Sequence, residues 1–213
     1  MKTTLRLAMV VFLAFLAGCV FDGSGRLETR SFALTDFDSI ETNMVVSLDV
    51  VRGDAFAVSV TADDNLWTRM NVSQQGKTLH IELPSDRFYS GVTAHATVTM
   101  PVLAGIRASG SSYAKFSGFD ASTLTLDASG NSTIEGDATV EKLSLDVSGN
   151  SHATLTGVRA AAADVSLSGT SSGSLTVVRT LDYDVSGGSH LVYFGNPQIG
   201  KSETSGGSSV ERH

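Results

Sequence analysis

The sequence predicts an all-β fold: a parallel β-helix, meaning a solenoid of stacked coils, preceded by a region of alternating β-strands. Three observations carry this reading. A serine–glycine segment recurs six times, as "ASGSSYAKFSG" from Ala108, "ASGNSTIEG" from Ala128, "VSGNSHATLTG" from Val147, "LSGTSSGSL" from Leu167, "VSGGSHLVYFG" from Val185 and "TSGGSSVE" from Thr204. Its glycines stand at 110, 130, 149, 169, 187 and 206, so the steps are 20, 19, 20, 18 and 19 residues, the fixed spacing of coils stacked one on the last. Upstream, from Ser31 to Pro101, apolar and polar residues alternate with period two, as in strands with one buried face.

The chain begins with Met1, Lys2 and Arg6 followed by "LAMVVFLAFLAG", an apolar run too short to anchor stably across a bilayer, which reads as a signal peptide over residues 1–18. That run ends in "LAGC", Leu16 to Cys19, which looks like a bacterial lipobox and makes Cys19 the expected lipidation site. Cys19 is the only cysteine, so no disulfide framework is available. Val20 follows it in place of the aspartate associated with inner-membrane retention, which favours the outer membrane. Residues 19–30, including "VFDGSGRLETR", are expected to be a small, polar tether. Loss of Lys2 and Arg6 takes the formal net charge from −7 to about −9, a balance that argues against a nucleic-acid partner.

Residues 31–103 form the expected N-terminal strand region. Its strands are "VSLDVV" from Val46, "FAVSVTA" from Phe56, "LHIEL" from Leu79 and "TAHATVTM" from Thr93. "RGD" at Arg52–Asp54 and "QGK" at Gln75–Lys77 supply the turns, and "DDNLW" at Asp63–Trp67 suits a single helical turn. The RGD triplet is read as that turn and not as an integrin ligand.

Residues 104–213 form the expected β-helix. Two residues before each glycine stand Ala108, Ala128, Val147, Leu167, Val185 and Thr204, and four before it Ile106, Leu126, Leu145, Val165, Tyr183 and Ser202. These columns point inward. The column between them, Arg107, Asp127, Asp146, Ser166, Asp184 and Glu203, points to solvent, so a strand runs into every glycine. A second strand follows the corner, carrying Ala114 and Phe116, Ile134, Ala153 and Leu155, Leu175, and Leu191 and Tyr193. Serine precedes every glycine (Ser109, Ser129, Ser148, Ser168, Ser186, Ser205) and stands two after it as well (Ser112, Ser132, Ser151, Ser171, Ser189, Ser208). With coils stacked about 4.8 Å apart, like residues superpose and the Ser109–Gly110, Ser129–Gly130, Ser148–Gly149, Ser168–Gly169, Ser186–Gly187 and Ser205–Gly206 corners form a structural ladder of hydroxyls.

Alternating strands, then "PVLAGIRASGSS" at Pro101–Ser112, then SGxS coils: this order resembles the auto-transporter adhesin head GIN domain family over roughly residues 37–197. The resemblance implies a right-handed parallel β-helix and a bacterial envelope protein often carried as a lipoprotein, and it supplies no catalytic residues. With no translocator barrel in these residues, the lipobox is expected to replace the autotransporter route.

Three function classes follow from the residues. The first is a non-catalytic binding role, an adhesin-like lipoprotein whose polar faces contact a glycan or a protein. The second is a periplasmic structural or envelope-maintenance scaffold, which the polar ending "SETSGGSSVERH" argues against as an end-to-end polymer. The third is a polysaccharide-acting β-helix enzyme, which needs a base or a carboxylate pair in a cleft and finds only Lys77, Lys115, Lys142 and Lys201, with Lys115 expected to lack acidic neighbours. "GTSSG" at Gly169–Gly173 matches a nucleophile-elbow pattern but sits in a ladder, not at a strand-to-helix turn. His152 and His190 share a column two coils apart, about 9.6 Å, too far to share one zinc. The stacked acids, Asp127 with Asp146 and Asp184 with Glu203, beside Asp164 and Asp182, repel unless solvated or bridged by a cation. Calcium is the open alternative there, but the GGxGxD nonapeptide of calcium-bound β-rolls is absent, which favours a solvated face. No enzyme activity, cofactor, metal ligand or catalytic residue is therefore expected.

Overall fold

The computed structural model describes residues 20–213. Cys19 and the signal segment lie outside them. In chain order, β1 (Val20–Asp22) pairs in parallel with β8 (Phe88–Ser90), and β2 (Leu27–Phe32) lies antiparallel on β5 (Ala57–Asp63). Val20–Asp22 and residues 27–30, expected as parts of a tether, thus lie on the fold as strand. Buried Asp63 fastens them there, one carboxylate oxygen accepting the Gly25 N–H at 2.7 Å and the other the Thr93 N–H at 2.6 Å.

β3 (Ser39–Thr42) and β4 (Ser47–Arg52) make a coil, and the chain then leaves the stack. After β5 comes a 3-10 turn over Asp64–Thr68, then β6 (Asn71–Gln75) and β7 (Thr78–Glu82), an antiparallel hairpin turning at Gly76. After β8, β9 (Ala94–Met100) pairs with both β4 and β5. The Arg52–Asp54 triplet is the turn out of β4: the Gly53 N–H donates to the Met100 carbonyl at 3.1 Å, and the Arg52 guanidinium is tied to Asp120 at 2.7 Å.

β10 (Gly105–Ala108) then returns onto β3 on the side opposite β7, and β11 (Tyr113–Ala128) onto β4 on the side opposite β9. From there the stack grows in sequence order through β12 (Thr133–Val147), β13 (His152–Leu167), β14 (Ser172–Val185), β15 (His190–Phe194), β16 (Gln198–Thr204) and β17 (Ser209–Arg212), every pairing parallel. One fifteen-stranded sheet therefore spans both halves of the sequence. Antiparallel β6 on β7, and β5 on β9 with β2 laid over it, close one end, as capping elements do in solenoids.

The columns counted from the glycines are the observed register. Ile106, Leu126, Leu145 and Val165 superpose inward, and Arg107, Asp127, Asp146 and Ser166 superpose outward. The first coil extends both columns with Ile40 and Glu41, and places Met44 where later coils have glycine. The coils of β11 to β14 also carry a third inward run between the two read from the sequence: Phe119, Ala138 and Val140, Val158 and Ala160, Val177. Breaks in the register set it apart, at Phe116/Phe119 and Glu135/Asp137. All these side chains form one core, in which burial of each Leu, Ile or Val is worth about 1.5–3 kcal/mol. Volumes compensate between coils: a Cβ on Gly136 would fall on the ring of buried Phe116.

Candidate functional site

The serine–glycine corners are consumed by the architecture. In each, the N–H of the serine before the glycine bonds to the coil beneath, as Ser129 to the Ala108 carbonyl at 2.9 Å and Ser148 to the Ala128 carbonyl at 2.8 Å. The serine two after the glycine is buried at Ser112, Ser132, Ser151, Ser171 and Ser189. Its hydroxyl mostly serves backbone groups: Ser112 donates to the Ser109 carbonyl and Ser132 to the Ser129 carbonyl, both at 2.9 Å, and Ser151 Oγ accepts the Ser132 N–H at 3.1 Å. A direct hydroxyl-to-hydroxyl rung occurs between Ser171 and Ser189 at 3.2 Å. The buried hydroxyls of the ladder thus satisfy buried backbone polar groups.

The residues that resemble catalytic parts are likewise engaged. Ser171, the central serine of "GTSSG", is buried and donates to the Val147 carbonyl at 3.0 Å. His152 and His190 are separated by one coil bearing Ser172, with His152 Nδ1 2.7 Å from Ser172 Oγ and His190 Nδ1 2.6 Å from Ser209 Oγ. Lys115 does not lack acidic neighbours: it lies in register between Glu135 on β12, at the same offset in the next coil, and Asp49 on β4, a pairing that only the return of the chain onto β4 creates. Tyr113, beside it, donates to Glu135 at 2.8 Å, and burial together with that carboxylate pushes its phenol up to about 12.

The outward face of β3, β10 and β11 is open to solvent. A groove of about 410 Å³ runs there, lined by Glu41, Thr78, Arg107, Thr123, Thr125 and Asp127 among others. Arg107 lines it, its Nε and Nη2 on Asp127 Oδ2 at 3.2 and 3.1 Å and its Nη1 3.8 Å from Glu41 Oε2. Strand geometry explains the placement: Glu41, Arg107 and Asp127 are register partners on consecutive coils, each flanked by inward-pointing residues. Along the same row, Asp146 follows Asp127, and burial and the Asp127 charge raise its carboxyl above the ordinary value. Farther on, the Lys201 ammonium lies between Asp184 and Glu203 at 4.0 and 3.5 Å, and Asp182 accepts the Lys201 N–H at 2.7 Å. In the other direction the row continues from Glu41 to His80 on β7, with Glu82 next on the same face. Sequence reasoning missed Glu41, Thr78, His80 and Glu82 because they come from outside the SGxS repeat. The hints in the sequence were "SIET" and "TLHIE", whose alternation puts these polar residues on one face.

The profile of the family described as "Putative auto-transporter adhesin, head GIN domain" matches residues 36–197. Among solved structures, a putative adhesin from Bacteroides fragilis superposes with a TM-score of 0.70 at 18% identity, covering 91% of this chain and 100% of the other. A putative adhesin from Parabacteroides distasonis gives 0.53 at 16% identity, over 91% of this chain and 100% of that one. A second Parabacteroides distasonis protein, described as a putative lipid binding protein, gives 0.53 at 20% identity, over 91% and 99%. At these identities the likeness is one of fold. No curated protein matches the sequence.

Proposed function

The chain belongs to the auto-transporter adhesin head GIN domain family, and from that premise we propose that it is a non-catalytic binding module of the bacterial cell envelope, held at the outer membrane by a lipid on Cys19. The observation that carries this reading is the contrast between corner and groove. Ser171, the central serine of the nucleophile-elbow pattern, is spent on the scaffold, whereas the Arg107 groove presents a guanidinium, carboxylates and threonine hydroxyls to solvent from the sheet. Such a surface suits a glycan or a polar protein segment held by several weak contacts acting together. The similar folds described as adhesins support the same class of role.

Arg107 is well suited to a test, because exposed ion pairs of its kind contribute only about 0.2–1 kcal/mol to stability. Protease shaving of intact and permeabilised cells, followed by glycan-array and protein-binding screens of the wild type and Arg107→Ala, decides the matter. Digestion in intact cells and a ligand lost in the variant are expected. Protection until permeabilisation would sink adhesion and leave a periplasmic scaffold.

A further inference from the structure

At the β7 end of the outward row, three donor atoms from two hydrogen-bonded strands converge. Glu41 on β3 is the register partner of His80 on β7, and Glu82 follows His80 by two residues on the same face. His80 Nδ1 lies 3.8 Å from Glu41 Oε2 and 3.6 Å from Glu82 Oε1, and one donor atom from each residue falls within 4.8 Å of both others. Neither distance is a hydrogen bond. The side chains of His80, Glu41 and Glu82 are 16, 29 and 30% exposed, so the three donors meet in a partly desolvated place. An imidazole nitrogen and two carboxylate oxygens so placed offer a cation three donor atoms from one side.

We propose that Glu41, His80 and Glu82 form a binding site for a divalent transition-metal ion of the zinc class. Bonds of about 2.0–2.1 Å at tetrahedral angles place ligand atoms about 3.3–3.4 Å apart, so the observed separations close onto such an ion with small side-chain rotations. An imidazole nitrogen with two carboxylate oxygens suits zinc and its neighbours better than calcium or magnesium, which take oxygen ligands. Support around the site fits this use. Asn71, opposite Glu82 in the β6–β7 hairpin, has its amide nitrogen 3.5 Å from Glu82 Oε2, which leaves Oε1 to face His80. Arg107 is drawn from Glu41 by its closer contact with Asp127. Three protein ligands leave a fourth position for water or a donor from a bound molecule. Since Glu41 also lines the groove, the ion would stand at its edge and would fasten the capping hairpin to the first coil.

The test is metal binding by the purified full chain after chelator treatment, measured by calorimetry with zinc chloride and by the visible absorption of cobalt(II) as a substitute. One zinc per chain with a micromolar or tighter Kd is expected, with a tetrahedral cobalt spectrum and a Tm raised by several degrees. His80→Gln and Glu82→Gln should each weaken binding at least tenfold while the far-ultraviolet circular dichroism is unchanged, and Asp184→Asn, far along the acidic row, should leave it intact. Two separately made ligand variants guard against loss of binding through misfolding of one. No stoichiometric binding at 100-fold zinc excess, unchanged affinity in the two ligand variants, or equal loss in Asp184→Asn would overturn the site. Failure here leaves the groove reading standing, because that rests on Arg107.

Discussion

Adding one methyl group at Gly149 tests what holds the coils together. Gly149 has φ of 75°, and a Cβ built there would lie 2.6 Å from the Gly130 carbonyl oxygen of the coil beneath. That oxygen already accepts the Asn150 N–H at 2.8 Å. The left-handed backbone alone costs an alanine about 1 kcal/mol. Restoring ordinary contact requires the corner to move apart by about 0.8 Å, which breaks the Asn150–Gly130 bond and stretches the Ser148–Ala128 bond, at about 1 kcal/mol or more each where the groups stay buried. Gly149→Ala should therefore cost roughly 3–4 kcal/mol, lowering Tm by roughly 10 °C in a chain of this size. Gly76→Ala is the control: its φ is 59° but nothing lies within 4 Å of its Cβ, so only the backbone cost of about 1 kcal/mol applies. Thermal unfolding followed by circular dichroism measures both. Equal shifts in the two variants would refute the argument that close coil stacking, and not the dihedral angle alone, demands glycine at the corner.

Two further perturbations separate scaffold from surface. Ser148→Leu combined with Ser151→Leu inserts two bulky groups at a corner where Ser151 is fully buried and accepts the Ser132 N–H, so soluble, cooperatively folded protein should be lost before any binding can be scored; a normal melting curve would contradict this. Asp146→Asn should act in the opposite direction. The Asp146 carboxyl is raised above its ordinary value of 3.8 by burial and by Asp127, so its neutral form is favoured in the folded chain. The stabilisation from that form is complete below the ordinary value and is lost as pH rises through the raised one. An asparagine keeps it, so the variant should match the wild type near pH 3 and exceed it at pH 7 by a few tenths of a kcal/mol, at the low end for like charges on facing strands because the site is exposed. A variant less stable than the wild type at pH 7 would reverse the sign.

Much of the solenoid was legible because each coil repeats the last within 18 to 20 residues, so counting from glycine reproduced the register from Ile106 to Thr204. The coil of β3 and β4 was not, since Met44 replaces the glycine and the chain runs through residues 53–104 before the next coil is laid on it. The third inward run was hidden by its brevity, one or two apolar residues such as Phe119 or Val177 beside a bend. The Arg107 groove and the meeting of Glu41 with His80 were out of reach for the same reason: they join segments made neighbours only by that excursion. Lys115 shows the consequence in a single residue, because Asp49 lies 66 positions before it in the chain and directly beneath it in the stack.

Met44 also shows what the glycine column is for. It adopts φ of 64°, close to the values of the corner glycines, so the left-handed turn does not by itself exclude a side chain; it costs one about 1–2 kcal/mol. The difference lies beneath. Gly130, Gly149 and Gly169 each rest on the glycine of the preceding coil, whose carbonyl oxygen would lie 2.5–2.6 Å from an added Cβ. Beneath Met44 the neighbouring strand β7 stops at Glu82, and the Leu83 N–H that follows is met by the Asn43 side chain at 2.8 Å, not by a coil corner. The Met44 side chain, freed from that constraint, packs on the core. Glycine is thus required where one coil corner lies on another, and its first appearance, at Gly110, marks the first coil whose corner is laid on an existing one.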